Sequence, residues 1–414
     1  MNLYLFNAND NAARYGIGSY LNELVGALDG CDIHIHVVQL HSAHHEFEIV
    51  KENNVEYWHV PEVRNQNTFY GSMQKLEDYC RNVIYLLRLY IKDTKDLVFH
   101  INYNHYQFFV KELKTAFNCK TVATVHFMRW AFELNGNLSI LQELKNKPEQ
   151  KRSTFEKLVW MSYENERLLY TEVDMVIALS KDMKHTLCYE YQIHADKITI
   201  VPNGLDDMRT EKDDNELLRE KWFLPEKEKI ILFVGRLHPM KGLLFLIRAF
   251  RKVLANIPNC RLLIAGSGNY DTYIQEAKWI SAKITFMGFL KKQELCELYQ
   301  IVDVGVMPSL YEPFGLVALE MMMYELPIVA TATSGLNEVI DDESVLKIPI
   351  LMNPESVKID TDLLADKIVY LLENPQEAKL LGKNARKRYK ALYSREVFRR
   401  NMLDFYHSLF TYVT

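Results

Sequence analysis

Short apolar runs alternate with amphipathic stretches along the whole chain. In the first half, 3–6, 33–40, 97–101, 121–125, 174–179 and 198–201 are apolar runs of strand length, and 18–28 has the apolar spacing of a helix. The second half repeats the alternation more regularly. There 230–234, 261–265, 283–287, 303–307 and 327–330 read as strands, with helices expected over 242–254 and 292–299. Strands interleaved with helices predict doubly wound α/β sheets, which bind ligands at the carboxyl ends of their strands. A last helical pattern over 394–409 carries Val397, Met402, Leu403, Phe405, Tyr406 and Leu409.

A chain of 414 residues is too long for one ordinary core. The polar, mixed-charge stretch from Pro202 to Lys229, with a short helix expected over 215–222, is the natural divider. The expected organisation is an N-terminal domain over 1–204, a linker over 205–228, a C-terminal domain over 229–393 and a terminal helix over 394–414. With 48% hydrophobic residues, 25% charged residues and a net charge of −5, the chain has no basic domain suited to nucleic acid. Six scattered cysteines without a Cys-x-x-Cys pair suit reduced thiols. No secretory signal and no apolar stretch near the roughly 20 residues of a membrane span is read, so a cytoplasmic protein is expected.

The polar candidates fall where strands end. After the run 303–307 comes Ser309-Leu-Tyr-Glu-Pro-Phe-Gly-Leu-Val-Ala-Leu-Glu320, in which Pro313 and Gly315 break the chain before a helix. Glu312 thus sits in the loop at a helix N-terminus and Glu320 about two turns further on. Between them, the backbone N–H groups of Phe314, Gly315 and Leu316 share the positive end of the helix dipole, a setting for an anion beside hydroxyl groups. Each glutamate alone also has an ordinary reading, as a surface or helix-dipole residue. After 230–234 comes Gly235-Arg-Leu-His-Pro-Met-Lys-Gly242, which places two cations, Arg236 and Lys241, at a strand mouth and suits a diphosphate. Gly266-Ser-Gly268 and Gly288-Phe289-Leu290 end two further strands; the first could clear space for a ligand or be a common turn, and the second could offer backbone groups to a nucleobase or simply be a strand end.

In the first half, Tyr15-Gly-Ile-Gly18 precedes the first helix, so the amides of Gly16 and Gly18 could face a phosphate. His126 ends the run 121–125, and Asn102-Tyr-Asn-His-Tyr106 follows another strand, as a loop that could hold an acceptor sugar. The histidines His34, His36, His41, His44 and His45 lack a carboxylate at metal-ligand spacing, so no metal site is read there. The helical stretch 79–92, with Val83, Ile84, Leu86, Leu87 and Leu89 beside Arg81, Arg88 and Lys92, suits a core-packed helix better than a membrane-docking one.

Taken in this order, the Glu312…Glu320 run, Arg236 and Lys241 in Gly-Arg-Leu…Lys-Gly, and Val201-Pro-Asn-Gly-Leu-Asp206 resemble the retaining glycosyltransferases of family 4 over nearly the whole chain. The resemblance implies the GT-B fold: two Rossmann-like domains facing across a cleft, with the C-terminal helix crossing back to the first. It further implies that Arg236 and Lys241 hold the diphosphate, Glu320 the ribose, and Glu312 with the amides of Phe314, Gly315 and Leu316 the transferred sugar. Gly16 and Gly18 would close over the phosphates, His126 would flank the anomeric centre, and Phe289 would lie at the base. The implied partners are a UDP- or GDP-type sugar donor and a glycan or lipid-linked acceptor, with contact at the inner membrane face as one setting. No metal or other cofactor is expected, because no Asp-x-Asp run accompanies the phosphate loops. The chain departs from the family with Tyr15-Gly16 in place of Gly-Gly and Ser334-Gly-Leu-Asn-Glu338 in place of Gly-Gly-x-Pro-Glu. Two other classes share the fold: a sugar-nucleotide epimerase and a non-catalytic partner subunit.

Overall fold

The computed structural model describes residues 1–8, 16–62, 73–102, 107–209 and 215–410. The chain forms two compact units, Met1–Arg129 with Pro148–Asn203 and Phe398–Thr414, and Trp130–Lys147 with Gly204–Val397. This differs from the expected division in two places. Trp130–Lys147 belongs to the second unit, where Asn137 Nδ2 donates to the Asn353 carbonyl (2.9 Å). The expected linker also begins inside that unit: the Leu205 N–H donates to the Tyr393 carbonyl (3.0 Å), and the Tyr389 hydroxyl donates to the Leu205 carbonyl (3.0 Å).

The first unit is built on eight strands: β1 (Asn2–Ala8), β2 (His34–Ser42), β3 (Glu48–Glu52), β4 (Val55–Pro61), β5 (Leu97–Ile101), β6 (Cys119–Val125), β7 (Met175–Ala178) and β8 (Ile198–Ile200). Their order is β3-β4-β2-β1-β5-β6-β7-β8, parallel except for the β3–β4 hairpin. Because β1 is followed by neighbours on opposite sides, β2 and then β5, the order reverses between β1 and β5. Every residue of β5 is buried, as expected of a strand covered on both faces. The hairpin was not expected from the sequence. Strand β3 is a mostly exposed edge, and its charged residues Glu48, Lys51 and Glu52 mask the strand pattern while discouraging edge pairing.

The helix Gly16–Leu28 buries Ile17, Tyr20, Leu21, Leu24, Ala27 and Leu28 against this sheet. The helix Arg395–Ser408 contributes Phe398, Met402, Phe405 and Tyr406 to the same core, alongside Leu3, Leu5 and Val122. The helix Met73–Tyr90 buries Val83, Ile84 and Leu87 in the core and leaves Tyr85, Leu89 and Tyr90 exposed. A polar connection crosses the first unit's interior. One ring nitrogen of buried His100 faces the Tyr406 hydroxyl and the other the Thr124 hydroxyl, each at 2.7 Å. Tyr20 reaches the same threonine at 3.3 Å.

The second unit carries β9 (Lys229–Val234), β10 (Cys260–Ala265), β11 (Ile284–Gly288), β12 (Val304–Met307), β13 (Ile328–Ala332), β14 (Leu346–Asn353) and β15 (Ser356–Ile359). Their order is β11-β10-β9-β12-β13-β14-β15, with only β14–β15 antiparallel. That hairpin too escaped the sequence reading, because most of its residues beyond Ile348 are partly or wholly exposed. The reversal of strand order falls between β9 and β12. Asp303 fastens the start of this junction: it accepts from Lys229 Nζ (2.9 Å) and the Ile230 N–H (2.8 Å).

Burial, with a smaller contribution from His126, pushes the His100 imidazole down to about 3, and burial alone pushes His126 down to about 3. In the unfolded chain both titrate near the ordinary 6.5. Below that value the unfolded chain binds protons that the folded one does not. Stability is therefore complete above it and is lost as pH falls toward 3, by about 1.4 kcal/mol per pH unit for each histidine. Urea-unfolding midpoints followed from about pH 8 to about pH 4.5 should be level at first and then decline, less steeply in His100→Gln. A midpoint in the unsubstituted protein that stays constant down to about pH 5 would contradict this assignment.

Candidate functional site

In a doubly wound sheet the carboxyl ends flanking a reversal of strand order are left uncovered, because the two connections leave in opposite directions. In the second unit the loops concerned are Gly235–Gly242 after β9 and Pro308–Gly315 after β12. They touch each other. The Leu310 N–H donates to the Met240 carbonyl (2.7 Å), and Gly242 takes a left-handed φ of 68° with its backbone against Pro308. A Cβ at Gly242 would lie 1.7 Å from the Pro308 carbonyl oxygen, so only glycine permits this approach. The result is that Lys241, from one loop, reaches Glu312, from the other, with Nζ 2.5 Å from Oε2.

Glu312 is only 8% exposed, and the Ser309 hydroxyl donates to the same carboxylate oxygen (3.2 Å). Its backbone is fixed from the loop after β13. Ser334 Oγ accepts from the Glu312 N–H (3.1 Å) and lies 2.9 Å from its carbonyl, to which the Leu336 N–H also donates (3.1 Å). Thr333 and Thr331 add hydroxyl bonds to the carbonyls of Leu310 and Ser309. Beyond Glu312, Phe314 is buried and Gly315, at a φ of 103°, caps the helix Leu316–Met323. The first amides of that helix have no intrahelical acceptor, and the dipole adds its positive end at the same place. Glu320 lies on this helix, and its Oε2 accepts from the buried Tyr299 hydroxyl (2.7 Å). The Tyr299 residue belongs to the helix Lys292–Ile301 that follows β11. Phe289 stands at the end of β11 and is 60% exposed.

Arg236 shares the mouth of β9 with Lys241. Its guanidinium lies over the Phe132 ring, 4.9 Å from the centroid, and Phe132 also packs on His238 at 4.2 Å. Burial, and then the charges of Arg236 and Lys241, hold His238 below the usual imidazole range, so it is neutral beside the two cations. Its Nδ1 accepts the Met240 N–H (3.3 Å) and so caps the turn Pro239–Lys241. The segment carrying Phe132 also runs beside Tyr311, the residue before Glu312: the Tyr311 side chain comes within 2.7 Å of where a Cβ on Gly136 would sit.

The first unit's candidates lie at the carboxyl ends of its own sheet. Gly16 and Gly18 both lie in the helix Gly16–Leu28, which thus includes two residues before the expected start at Gly18. The buried stripe of that helix includes Ile17, and Tyr15 lies outside the described residues. His126 follows β6, with its ring edge-on to Tyr20 at 4.6 Å and Nε2 3.1 Å from Asn102 Oδ1. An imidazole kept neutral by burial donates its Nε2–H to that amide oxygen, which leaves Nδ1 as its acceptor. The rest of the expected acceptor loop, 103–106, lies outside the described residues. The histidines weighed as metal ligands separate: His36 pairs with Glu56 (2.9 Å), His44 with Glu48 (3.0 Å), and His41 stacks on Tyr79. Among the described residues no three His, Cys, Asp or Glu side chains converge as a metal site.

Arg236, Lys241, Glu312, Phe314, Gly315 and Leu316 are thus gathered at the β9–β12 reversal, with Glu320 further along the same helix. The sequence reading missed Ser309, Ser334, Tyr299 and Phe132, each of which touches one of these residues. Only Ser309, three positions from Glu312, was within reach of local pattern.

Two doubly wound units, each with its polar candidates at the carboxyl ends of its strands, make up the GT-B architecture of nucleotide-sugar-dependent glycosyltransferases. The family models agree. The Glycosyltransferase Family 4 model matches residues 15–209, and the Glycosyl transferases group 1 model matches residues 214–388. The chain belongs to the family 4-like glycosyltransferases. It is 38% identical over 175 residues to a glycosyltransferase from Methanocaldococcus jannaschii, a match of 41% of this chain and 45% of the relative. The chain spans less than half the length of that relative. In fold it is similar to sucrose-phosphate synthase from Thermosynechococcus elongatus, with a TM-score of 0.77, 23% identity and 99% of each chain covered. It is also similar to HepE of Anabaena, whose structure holds UDP-glucose, with a TM-score of 0.69, 16% identity and 99% and 100% covered. No helix among the described residues is long and apolar enough to cross a membrane.

Replacing Gly242 with alanine forces a Cβ onto the Pro308 carbonyl at a left-handed φ. The expected loss of stability exceeds about 1 kcal/mol, read as a lowered urea-unfolding midpoint. An unchanged midpoint would contradict the close approach.

Proposed function

We propose that this chain transfers a hexosyl unit, with retention of anomeric configuration and without a metal, from a nucleotide-diphosphate sugar to a hydroxyl on a glycan or lipid-linked acceptor. The observation that carries the reading is the Lys241–Glu312 pair beside a helix N-terminus at the β9–β12 reversal. It sets a cation, a carboxylate and outward-facing amides in one place, as a phosphate linked to a sugar requires.

In this reading Arg236 and Lys241 bind the diphosphate and stabilise the charge that grows on it as the glycosidic bond breaks. Glu312 and the amides of Phe314, Gly315 and Leu316 hold the sugar hydroxyls, Glu320 accepts the ribose hydroxyls, and Phe289 lies by the base. Gly16 and Gly18 contribute helix-terminal amides. His126, neutral at working pH, serves as a hydrogen-bonding group at the reacting sugar, with Nδ1 as its acceptor atom. We favour a uridine donor, since HepE of Anabaena is the similar structure that holds UDP-glucose. The acceptor's proton passes to the leaving diphosphate, on the face from which that group departs.

Arg236→Ala, Lys241→Ala and Glu312→Ala should each slow transfer by about 100- to 1000-fold, the usual cost of removing one preorganised charge-stabilising group. Unfolding temperature should stay close to that of the unsubstituted protein in Arg236→Ala and fall in Lys241→Ala, which leaves the buried Glu312 carboxylate without its cation. Near-normal turnover in all three would sink the assignment. Each assay includes donor without acceptor, where formation of an epimer would instead identify an isomerase.

A further inference from the structure

The carboxylate of Glu320 is not simply present on its helix; it is aimed. The Tyr299 hydroxyl donates to Oε2 at 2.7 Å from a neighbouring helix, Tyr299 is 3% exposed, and its ring packs against Tyr324 at 5.6 Å. Tyr324 is anchored in turn, its hydroxyl donating to the Met208 carbonyl (3.1 Å). A glutamate side chain in a helix has three rotors and would otherwise sample several positions.

We propose that Tyr299 is a positioning residue that sets the Glu320 carboxylate for the ribose of the donor, and so determines discrimination between ribose and deoxyribose. This rests on reading Glu320 as the ribose acceptor. Burial and the Glu320 charge push the Tyr299 hydroxyl well above the usual phenol range, so it remains a donor at any working pH. Hydroxyl groups bond to both glutamates: that of Ser309 to Glu312, beside Lys241, and that of Tyr299 to Glu320.

The test is calorimetric titration of the full chain with UDP and 2′-deoxy-UDP, repeated with GDP and 2′-deoxy-GDP, in the unsubstituted protein, Tyr299→Phe and Glu320→Gln. The base that the unsubstituted protein binds is the one read. Tyr299→Phe should weaken the ribonucleotide roughly tenfold and leave the deoxynucleotide nearly unchanged, so that the preference shrinks. Donor KM should rise with kcat held within about twofold. If Glu320→Gln loses the preference and Tyr299→Phe keeps it, the ribose reading stands and the role of Tyr299 is overturned. If Tyr299→Phe weakens both nucleotides equally, or its unfolding temperature drops sharply, Tyr299 is structural only. If the unsubstituted protein shows no ribose preference, the Glu320 reading fails and takes this one with it.

Discussion

The second unit's site depends on one close approach, that of the Gly242 backbone to the Pro308 carbonyl. A side chain at 242 would hold the two loops apart, and Lys241 would then stand on one side of the strand reversal with Glu312 on the other. Parallel strands alone do not ensure the meeting. Strands β9 and β12 are paired only through Ile231–Val304 and Leu232–Gly305, near their starts and middles. The register is fixed at the opposite edge by Asp303, and the carboxyl ends are free to diverge unless the loops bind each other. The hydrogen bond from Leu310 to the Met240 carbonyl supplies that tie, and glycine makes it sterically possible.

Once the loops meet, Glu312 has little freedom. Its backbone is bonded on both sides to the loop after β13, and its side chain to Lys241 and Ser309. A buried carboxylate of this kind needs partners, because desolvating an unpaired charge is costly. The pairing also keeps Lys241 extended toward the site. In the proposed function, a diphosphate carries more negative charge than a single carboxylate, so it competes for the lysine on favourable terms, and Glu312 keeps Ser309 when it does. On that reading the cation and the carboxylate are each prepared for one part of the same ligand.

Much of this architecture was legible in the sequence, for a physical reason. Central parallel strands are buried on both faces, so β9, β10, β12 and β13 are mostly apolar runs whose carboxyl ends mark the ligand side. The antiparallel edges were not legible. Strands β3, β14 and β15 carry polar residues on exposed faces and lose the apolar run that identifies a strand. The first helix includes Gly16 and Ile17, which the expected helix over 18–28 left to the glycine loop, and Ile17 belongs to its buried stripe. The supporting side chains were hidden for another reason. Tyr299 meets Glu320 across 21 positions and Ser334 meets Glu312 across 22, and no local pattern encodes such a meeting. Phe132 is a stronger case, since it reaches Arg236 from a segment that precedes the second unit's other strands and helices in sequence.

Ser334 shows how a departure from the family's glycine pattern can be absorbed. It adopts a φ of 37°, in the left-handed region that glycine enters without penalty and a serine does not. Its hydroxyl offsets that cost by bonding to both the amide and the carbonyl of Glu312. A glycine there would relax the backbone but supply neither bond, and the Glu312 backbone would lose its side-chain partner while Thr331 and Thr333 still tied the loop at Ser309 and Leu310. The serine therefore exchanges local backbone ease for a firmer carboxylate. Glu320 too is bonded by a hydroxyl, that of Tyr299, but without backbone strain, so that hydroxyl groups which the spacing between the glutamates does not reveal bond to both.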